Sequence, residues 1–347
     1  MNFSFFTMTL NMNAPFVTHK ATHVKVPHII IQIKHNDIIG FGQTVILPYY
    51  YYHLDEMQNV FQSLEKCNLF FNQTKTFNST NFEEVISEIG KIENLNLNIY
   101  SAIEMALLDL FSKTHKQSLH EFLGITTEKK LISSMTLGIK TLDLLKSDLE
   151  KYMQWPVLKI KMSANLVENL EKIKFIRNYY NGNIRIDANG SWDRTKAIFM
   201  LTELKDYNIE FIEQPIAPQQ HELLRELNAF SEIPLFVDED CQNMDDLYKL
   251  AGIVSGVNIQ AYKSGGLTKL VKMLQEAKKL GLKTMLGCQA ESCLGISALA
   301  HIASLADYLD LDGHLDFIDD KFTGIEIENG LITLPKTYGI GAVYHEK

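Results

Sequence analysis

The sequence has 347 residues and a formal net charge of −9, and 46% of its residues are hydrophobic while 22% are charged. This length and composition are typical of a globular protein with two domains, or of one barrel with an additional domain. The negative charge argues against nucleic-acid or anionic-membrane binding, because both require a basic surface. The four cysteines lack metal-ligand spacing and no apolar run approaches the roughly 18 residues that span a bilayer, so we expect a cytoplasmic protein with reduced thiols.

The first 125 residues predict a separate α+β domain. The apolar run MNFSFFTMTLNM has neither basic residues nor a cleavage site of small residues, which favours a first strand over a signal peptide. The runs VKVPHIIIQIKH and IIGFGQTVI are typical of a strand hairpin, with Gly40 and Gly42 in the second run. Three helical stretches follow, and the last, SAIEMALLDLFSKTHK, places its apolar residues on one face.

Residues 126–320 predict a barrel. Short β-rich runs alternate there with helical stretches; the runs are LISSMTLGI, VLKIK, IRIDAN, IEFIEQP, PLFVDED, VNIQ, TMLGCQ and YLDLD. Strand and helix in alternation predict parallel strands, and eight such runs favour a closed barrel over an open sheet. The tail, residues 321–347, has short strand-like pieces and is expected to pack back on the first domain.

Polar residues recur in step with the barrel pattern, at intervals of 25 or 26 residues. They are Lys161, Asp187, Glu213, Asp238, Lys263 and Cys288. Because catalytic groups of such barrels lie at the carboxyl ends of the strands, we expect these side chains to meet at one rim.

Asp187, Glu213 and Asp238 come from three consecutive predicted strands. Each of them alone could be a surface or capping residue, but three clustered carboxylates would repel one another without a cation. Their oxygen-only donor set suits a hard cation such as Mg²⁺ or Mn²⁺.

Lys161 and Lys263 come from the second and sixth predicted strands, which lie on opposite walls of an eight-stranded barrel. Alternation in VLKIK makes Lys159 point the same way as Lys161, one layer deeper. A nearby cation or second ammonium disfavours the charged form of a lysine, so we expect Lys161 to act as a base near neutral pH. Two opposed bases beside a metal fit removal of a proton next to a carboxylate and its return from the other face. The reacting carbon would be inverted.

These motifs resemble those of the enolase superfamily, in its muconate-lactonizing subgroup. The matching segments are KIK (Lys159, Lys161), DAN (Asp187, Asn189), EQP at Glu213, DE (Asp238, Glu239) and KSGG (Lys263), together with the helix SAIEMALLDL before the barrel. The resemblance implies a modified (β/α)₇β barrel, residues 126–320. An N-terminal α+β capping domain, residues 1–125, would be completed by the C-terminal segment 321–347.

The same resemblance implies a role for each matching residue. Asp187, Glu213 and Asp238 would hold one Mg²⁺ per subunit, while Lys161 and Lys263 would form the acid–base pair. Asn189 and Glu239 would support them from outside, with Glu239 as a partner of Lys263.

The last predicted barrel strand resembles that of one class of enzymes within this subgroup. The segment YLDLDGH places Asp310 and Asp312 on one face, where two carboxylates can hold a substrate ammonium. The pair resembles the D-x-D signature of dipeptide epimerases. That likeness implies inversion of the C-terminal residue of L,L-dipeptides, of Ala-Glu type or related, by a chain that forms a homo-oligomer.

Further substrate contacts are expected around this pair. Lys159, Thr136 and Gln289 would bind the substrate from the barrel, and Lys20 in the capping segment 15–23 could pair with an acidic substrate side chain. The segment DED adds a charge at Asp240, where relatives often carry a small hydroxyl residue.

Other functions stay open at this point. An o-succinylbenzoate synthase or muconate cycloisomerase would use the same lysines and metal, but its substrate has no ammonium group for Asp310 and Asp312 to bind. These two acids could also be a solvated strand end. A non-catalytic ligand-binding barrel would have lost a lysine or a carboxylate, and none is missing.

Overall fold

A computed structural model describes residues 1–46, 54–73 and 81–346. The N-terminal domain is an antiparallel three-stranded sheet in the order β1-β2-β3, followed by helices. Its elements are β1 (Asn2–Val17), β2 (Thr22–His35), β3 (Ile38–Val45), α1 (Leu54–Gln73), α2 (Phe82–Ile89), α3 (Leu97–Thr114) and α4 (Leu119–Phe122). The predicted first strand and hairpin are therefore confirmed.

Helix α3 lies directly against the sheet. A Cβ atom on Gly40 would come within 2.1 Å of the main-chain oxygen of Ala106, and one on Gly42 within 1.9 Å of that of Ala102. Because only glycine leaves room for this approach, the two glycines of β3 set the distance between sheet and helix.

The second domain is a closed barrel of eight parallel strands in sequence order. The strands are β4 (Met135–Leu137), β5 (Val157–Lys161), β6 (Asn183–Asp187), β7 (Ile209–Glu213), β8 (Leu235–Val237), β9 (Gly256–Ile259), β10 (Lys283–Gly287) and β11 (Tyr308–Asp310). A parallel bridge between Ser133 and Leu309 joins the first strand to the last and closes the barrel.

Helices connect each barrel strand to the next, as a (β/α)₇β barrel requires. They are α5 (Leu142–Tyr152), α6 (Leu166–Arg177), α7 (Arg194–Leu204), α8 (His221–Phe230), α9 (Met244–Leu250), α10 (Ala261–Ser264), α11 (Leu267–Lys279) and α12 (Cys293–Ala300), with 3₁₀ turns at Lys205–Tyr207 and Ala303–Leu305. Several begin at an Asn, Asp or Ser whose side chain accepts a backbone N–H, for example Asn165 before α6 and Asp193 before α7. The predicted architecture is confirmed.

Aromatic side chains fill the lower interior of the barrel. The rings of Phe211 and Phe236 stack at 4.1 Å between centroids, and Tyr308 packs edge-on against both. The Arg185 guanidinium lies 5.3 Å from the Phe211 centroid, over the ring face. This packed layer supports the polar residues one step higher on the same strands.

The tail forms two short strand pairs and contacts both domains. They are β12 (Phe322–Thr323) with β15 (Val343–Tyr344), and β13 (Glu326–Glu328) with β14 (Leu331–Thr333). On the first domain, Ile340 N donates to Asp109 Oδ1 at 2.8 Å. On the barrel, Ser133 N donates to the main-chain oxygen of Gly330 at 2.8 Å. The expected return to the first domain thus accounts for only part of the tail.

All four cysteines are free thiols. Within the described residues, no helix combines the length and apolar character needed to cross a bilayer.

Candidate active site

The three carboxylates predicted to share a rim lie side by side. Asp187 and Glu213 are the last residues of β6 and β7 and are direct partners in the strand register, and Lys161, at the end of β5, is the partner of Asp187 on its other side. Asp238 follows the end of β8 immediately. Asp187, Glu213 and Asp238 are 1%, 0% and 6% exposed, so three acids are buried at one edge of the barrel.

Lys159 supplies the positive charge closest to these acids. Its Nζ lies 2.7 Å from Glu213 Oε2, 2.7 Å from Asp310 Oδ2 and 3.3 Å from Asp187 Oδ2. The side chain is only 3% exposed, and a buried ammonium without such partners would be strongly unfavourable. Lys159 therefore links the metal-ligand candidates to the last barrel strand.

Lys161 ends β5 and Lys263 follows β9, and these two strands are four apart in the eight-stranded barrel and therefore lie on opposite walls. Lys161 Nζ donates to Asp187 Oδ2 at 2.6 Å and to Asn189 Oδ1 at 3.3 Å. Lys263 Nζ donates to the main-chain oxygen of Asp238 at 2.6 Å and pairs with its carboxylate. Lys263 lies on the short helix α10, four residues beyond β9, and not at the strand end that the regular spacing suggested.

The pKa directions of these lysines differ from the sequence expectation. Burial alone would lower the pKa of Lys161, but Asp187 outweighs it, so the pKa lies above the usual value. Burial also lowers the pKa of Lys263, but Asp238 raises it by more, so this pKa too lies above its usual value. The reason is distance, since each ammonium is in direct contact with a carboxylate.

Three amide side chains that the sequence analysis did not single out hold the carboxylates in place. Asn258 Nδ2 donates to Glu213 Oε1 at 2.7 Å, and Gln260 Nε2 donates to Asp238 Oδ1 at 2.8 Å. Gln214 Oε1 accepts the backbone N–H groups of Asp238 and Glu239, both at 3.0 Å. The alternation in VNIQ, which puts Asn258 and Gln260 on one face of β9, was the signal available for two of them.

Asp310 and Asp312 both line the cleft, as the alternation in β11 predicted, and β11 lies four strands from β7, on the opposite wall of the barrel. Asp310 Oδ1 accepts hydrogen bonds from Ser134 Oγ at 2.7 Å and from Thr136 Oγ1 at 3.1 Å. Asp312 accepts the backbone N–H of Thr136 and, in the part of the chain that the structure describes, forms no ion pair. Burial and then Asp310 raise the pKa of Asp312 to about 7.

Lys20 reaches the barrel from the loop between β1 and β2. Its ammonium pairs with Glu239, which the resemblance had assigned to Lys263. Lys263 faces Asp238 instead, because α10 turns it toward the main chain at the end of β8. The charge of Lys20 is therefore already balanced by a residue of the barrel.

Asp240, the additional acid of the segment DED, has a structural environment. It is buried and accepts hydrogen bonds from Gln214 Nε2 at 2.7 Å and from the backbone N–H of Gln219 at 2.6 Å. Asp240 therefore orders the loop after β7 and is not one of the residues lining the cleft.

The cleft opens to solvent, and its space of about 880 Å³ includes solvent at its mouth. Both domains line it; the residues are Met12, Phe16, Thr18, Lys20, His23, Thr136, Lys159, Lys161, Asp187, Asn189, Asp238, Gln260, Cys288, Gln289, Ala290, Asp310, Asp312, Gly313 and Asp316. Gln289 lies among them with a buried Nε2 that has no hydrogen-bond partner. Three predicted site residues do not line the cleft but contact residues that do: Glu213 contacts Lys159, Glu239 contacts Lys20, and Lys263 contacts Asp238.

The carboxylates fit a hard cation. Glu213 Oε2 is buried and accepts no hydrogen bond, although it lies within ion-pair distance of Lys159. Burial and then Asp187 raise the pKa of Glu213 to about 8. Within residues 1–46, 54–73 and 81–346, no three acidic, His or Cys side chains are already gathered around one metal position. Each of the three acids instead contacts a lysine.

The sequence matches two parts of one family along most of its length. Residues 3–124 match the mandelate racemase / muconate lactonizing enzyme N-terminal domain, and residues 144–347 match the enolase C-terminal domain-like family. The chain is similar to an L-Ala-D/L-amino acid epimerase of Flavobacterium johnsoniae, with 34% identity over 91% of each chain. It is 30% identical to an L-Ala-D/L-Glu epimerase of Bacteroides thetaiotaomicron, over 99% of this chain and 88% of that one.

A solved structure has the same fold. The dipeptide epimerase of Cytophaga hutchinsonii, crystallised with Mg and the dipeptide D-Ala-L-Val, aligns with a TM-score of 0.87 and 25% identity over 99% of this chain and 96% of that one. Sequence and fold thus agree over both domains. The chain belongs to the enolase superfamily, in its mandelate racemase / muconate lactonizing enzyme group.

Proposed function

We propose that this protein is a Mg²⁺-dependent dipeptide epimerase that inverts the α-carbon of the C-terminal residue of L,L-dipeptides. The names of the relatives and the magnesium and dipeptide in the similar crystal structure support this assignment. The observation that carries it is the polarity of the cleft. Three buried acids suited to a cation lie at the ends of β6, β7 and β8, and Asp310 and Asp312 come from β11, on the wall of the barrel opposite β7. A zwitterionic dipeptide likewise has two separate charged groups, a carboxylate at one end and an ammonium at the other.

The two groups of acids would bind opposite ends of the dipeptide. Asp187, Glu213 and Asp238 would hold Mg²⁺, which supplies positive charge next to the substrate carboxylate and favours loss of the α-proton. Asp312, together with Asp310, would bind the ammonium group by charge-assisted hydrogen bonds.

The two lysines would exchange the proton. One removes the α-proton and leaves an enediolate, and the other delivers a proton to the opposite face of the same carbon. Lys161 and Lys263 come from opposite walls of the barrel, as this scheme requires. Lys159, with its three carboxylate neighbours, would add a fixed positive charge below the reacting carbon.

The preferred C-terminal side chain of the substrate is a separate part of the proposal. Lys20 is the capping-loop cation that lines the cleft, and its pairing with Glu239 favours an uncharged substrate side chain over an acidic one. We therefore propose that L-Ala-L-Xaa dipeptides with uncharged C-terminal residues are better substrates than L-Ala-L-Glu.

The function is tested by incubating the protein with Mg²⁺ and a library of L,L-dipeptides in deuterium oxide. We expect deuterium at the α-carbon of the C-terminal residue, detected by mass spectrometry, and the L,D product, detected by chiral chromatography. Absence of exchange with every dipeptide, together with turnover of an o-succinylbenzoate precursor or a muconate, would overturn the assignment in favour of those activities.

A further inference from the structure

Helix α3 of the N-terminal domain places a buried acid at the start of barrel helix α11. Glu104 is 0% exposed, its Oε2 accepts the backbone N–H of Thr268 at 3.3 Å, and its Oε1 accepts the Thr268 hydroxyl. Helix α11 begins at Leu267, so the carboxylate lies at the positive end of the helix and satisfies N–H groups that have no partner within it. An acid from one domain thus caps a helix of the other.

The same face of α3 contacts the whole turn before that helix. Residues 97, 100 and 104 recur at helical spacing and so lie on one side of α3. A Cβ atom on Gly265 would lie 2.5 Å from Leu97 Cδ1, and one on Gly266 would lie 2.1 Å from Glu104 Oε2. The Lys269 ammonium lies 5.4 Å from the centroid of the Tyr100 ring.

The two glycines fix the path of this turn. Gly265 has φ +79° and Gly266 has φ +111°, values that residues with a side chain rarely adopt. Two residues before Gly265, Lys263 projects from α10 toward Asp238. The direction of its side chain therefore depends on a turn that is held against α3.

We propose that Glu104 is a positioning residue for Lys263: by capping α11 from the N-terminal domain, it fixes the turn that holds the ammonium beside Asp238 at the edge of the cleft. The inference rests on the proposed function, because it assigns Lys263 one of the two proton transfers. Burial raises the pKa of Glu104, while the hydrogen bonds from Thr268 oppose that shift. The acid therefore depends on its contacts with α11 to be accommodated at this interface.

The inference predicts an asymmetric defect. Lys161 lies at the end of β5, four strands from β9, and its side chain contacts Asp187 and Asn189 and not α3. Loss of Glu104 should therefore slow proton removal by Lys263 and leave proton removal by Lys161 nearly unchanged. A purely structural role would lower both rates equally, since it would only reduce the amount of folded protein.

The test measures deuterium exchange for each substrate epimer separately, in Glu104→Gln and in the milder Thr268→Val. The epimer that each lysine deprotonates is assigned with Lys161→Ala and Lys263→Ala in the same assay. We expect exchange by Lys263 to fall about tenfold or more, which corresponds to about 1.4 kcal/mol, and exchange by Lys161 to change less than about twofold.

Asp109→Asn is the matched control. Asp109 is a buried acid on the same helix, but it accepts the backbone N–H groups of Phe41 and Ile340 and does not contact the Lys263 turn. This variant should lower thermal stability without changing the ratio of the two exchange rates. Equal loss of both rates in the Glu104 and Thr268 variants, with an active wild-type protein, would overturn the inference and leave the proposed function intact. An inactive wild-type protein would overturn both.

Discussion

Asp310 and Asp312 are two residues apart on one face, yet their carboxyl groups ionise differently. Burial would raise the pKa of Asp310, but Lys159 at 2.7 Å outweighs it, and the pKa lies below its usual value. Asp312 has the backbone N–H of Thr136 as partner, and its pKa is raised to about 7. Asp310 therefore fixes Lys159, and Asp312 is the acid more available to a substrate ammonium.

This difference predicts a pH dependence of substrate binding. Asp312 carries its charge only above its pKa of about 7, so kcat/KM for dipeptides should fall as the pH decreases from about 8 to about 6. The slope should approach about tenfold per pH unit below the pKa. Initial rates at low dipeptide concentration measure the profile.

Two variants identify the acid responsible. Asp312→Asn should bind dipeptides weakly at every pH and remove the dependence, while Asp316→Asn, a change at another acid that lines the cleft, should keep it. A dependence that persists in Asp312→Asn, or that disappears in Asp316→Asn, would assign the titration to a different group.

At this scale the sequence predicted which side chains meet but not their charge states. Alternation in VLKIK and YLDLD was enough to place Lys159, Asp310 and Asp312 in one cleft. The direction in which the pKa of Lys161 shifts depends on whether a carboxylate or an ammonium lies nearest. The structure places the Asp187 carboxylate at 2.6 Å. The sequence did not show whether Asp187 or the second lysine, Lys159, would be closer. Contact distances of this kind arise only from the folded register.

Strand order determines how the carboxylates are supported. Glu213 is the last residue of β7. The next residue, Gln214, has φ 40°, and its side chain accepts a hydrogen bond from the backbone at the end of β8. The Gln214 amide accepts hydrogen bonds from two consecutive N–H groups there, those of Asp238 and Glu239. One element thus orients the metal-ligand candidate of its neighbour.

Gln214→Ala should therefore weaken metal binding more than it weakens folding. Loss of residues that orient metal ligands typically lowers affinity about 10- to 100-fold, so the Mg²⁺ concentration for half-maximal activity should rise by a similar factor. Gln219→Ala is the control, because Gln219 also has a positive φ but is exposed. An unchanged Mg²⁺ requirement in Gln214→Ala would show that Asp238 is oriented without this amide.

At the scale of elements, regular spacing predicted the strand ends and missed one exception. Asp187 and Glu213 end their strands and Asp238 follows its strand directly, as intervals of 25 or 26 residues suggested. Lys263 fitted the same interval but lies on α10, because β9 is short and the chain turns into a helix at Ala261. A regular interval gives the number of residues between two positions in the sequence, but it does not show at which residue a strand ends.

The cleft is completed only where the two domains meet. The loop between β1 and β2 brings Lys20 to Glu239 of the barrel, with side chains that are 28% and 14% exposed. An ion pair exposed to this degree contributes little to stability, with a typical value of about 0–1 kcal/mol. Its larger effect is to hold the capping loop over the cleft.

Lys20→Ala should therefore raise KM for dipeptides several-fold without a comparable loss of thermal stability. The loop would lose its contact with Glu239, so a larger fraction of molecules would bind substrate with the cleft incompletely covered. Lys25→Ala, an exposed lysine on the same hairpin, is the matched control and should keep the wild-type KM. If Lys20→Ala binds dipeptides as tightly as the wild type, the loop is held by its other contacts.

The sequence predicted the whole molecule in outline, with a sheet-and-helix domain followed by a (β/α)₇β barrel. Binary patterning and strand–helix alternation carry that information because they act within each element. The contacts of the tail were only partly foreseen. Phe41 packs edge-on against Phe322, and Ser133 pairs with Gly330, so the tail bridges both domains through contacts that local pattern does not encode.

The central claim is that two amines from opposite walls of the barrel exchange one proton at the substrate α-carbon. The most direct measurement is α-deuterium incorporation from deuterium oxide into each separate epimer of one dipeptide, catalysed by Lys161→Ala and by Lys263→Ala. We expect both variants to lose epimerisation while each still exchanges one epimer, a different one in each variant. Exchange of the same epimer by both variants, or epimerisation at the wild-type rate by either, would contradict the account.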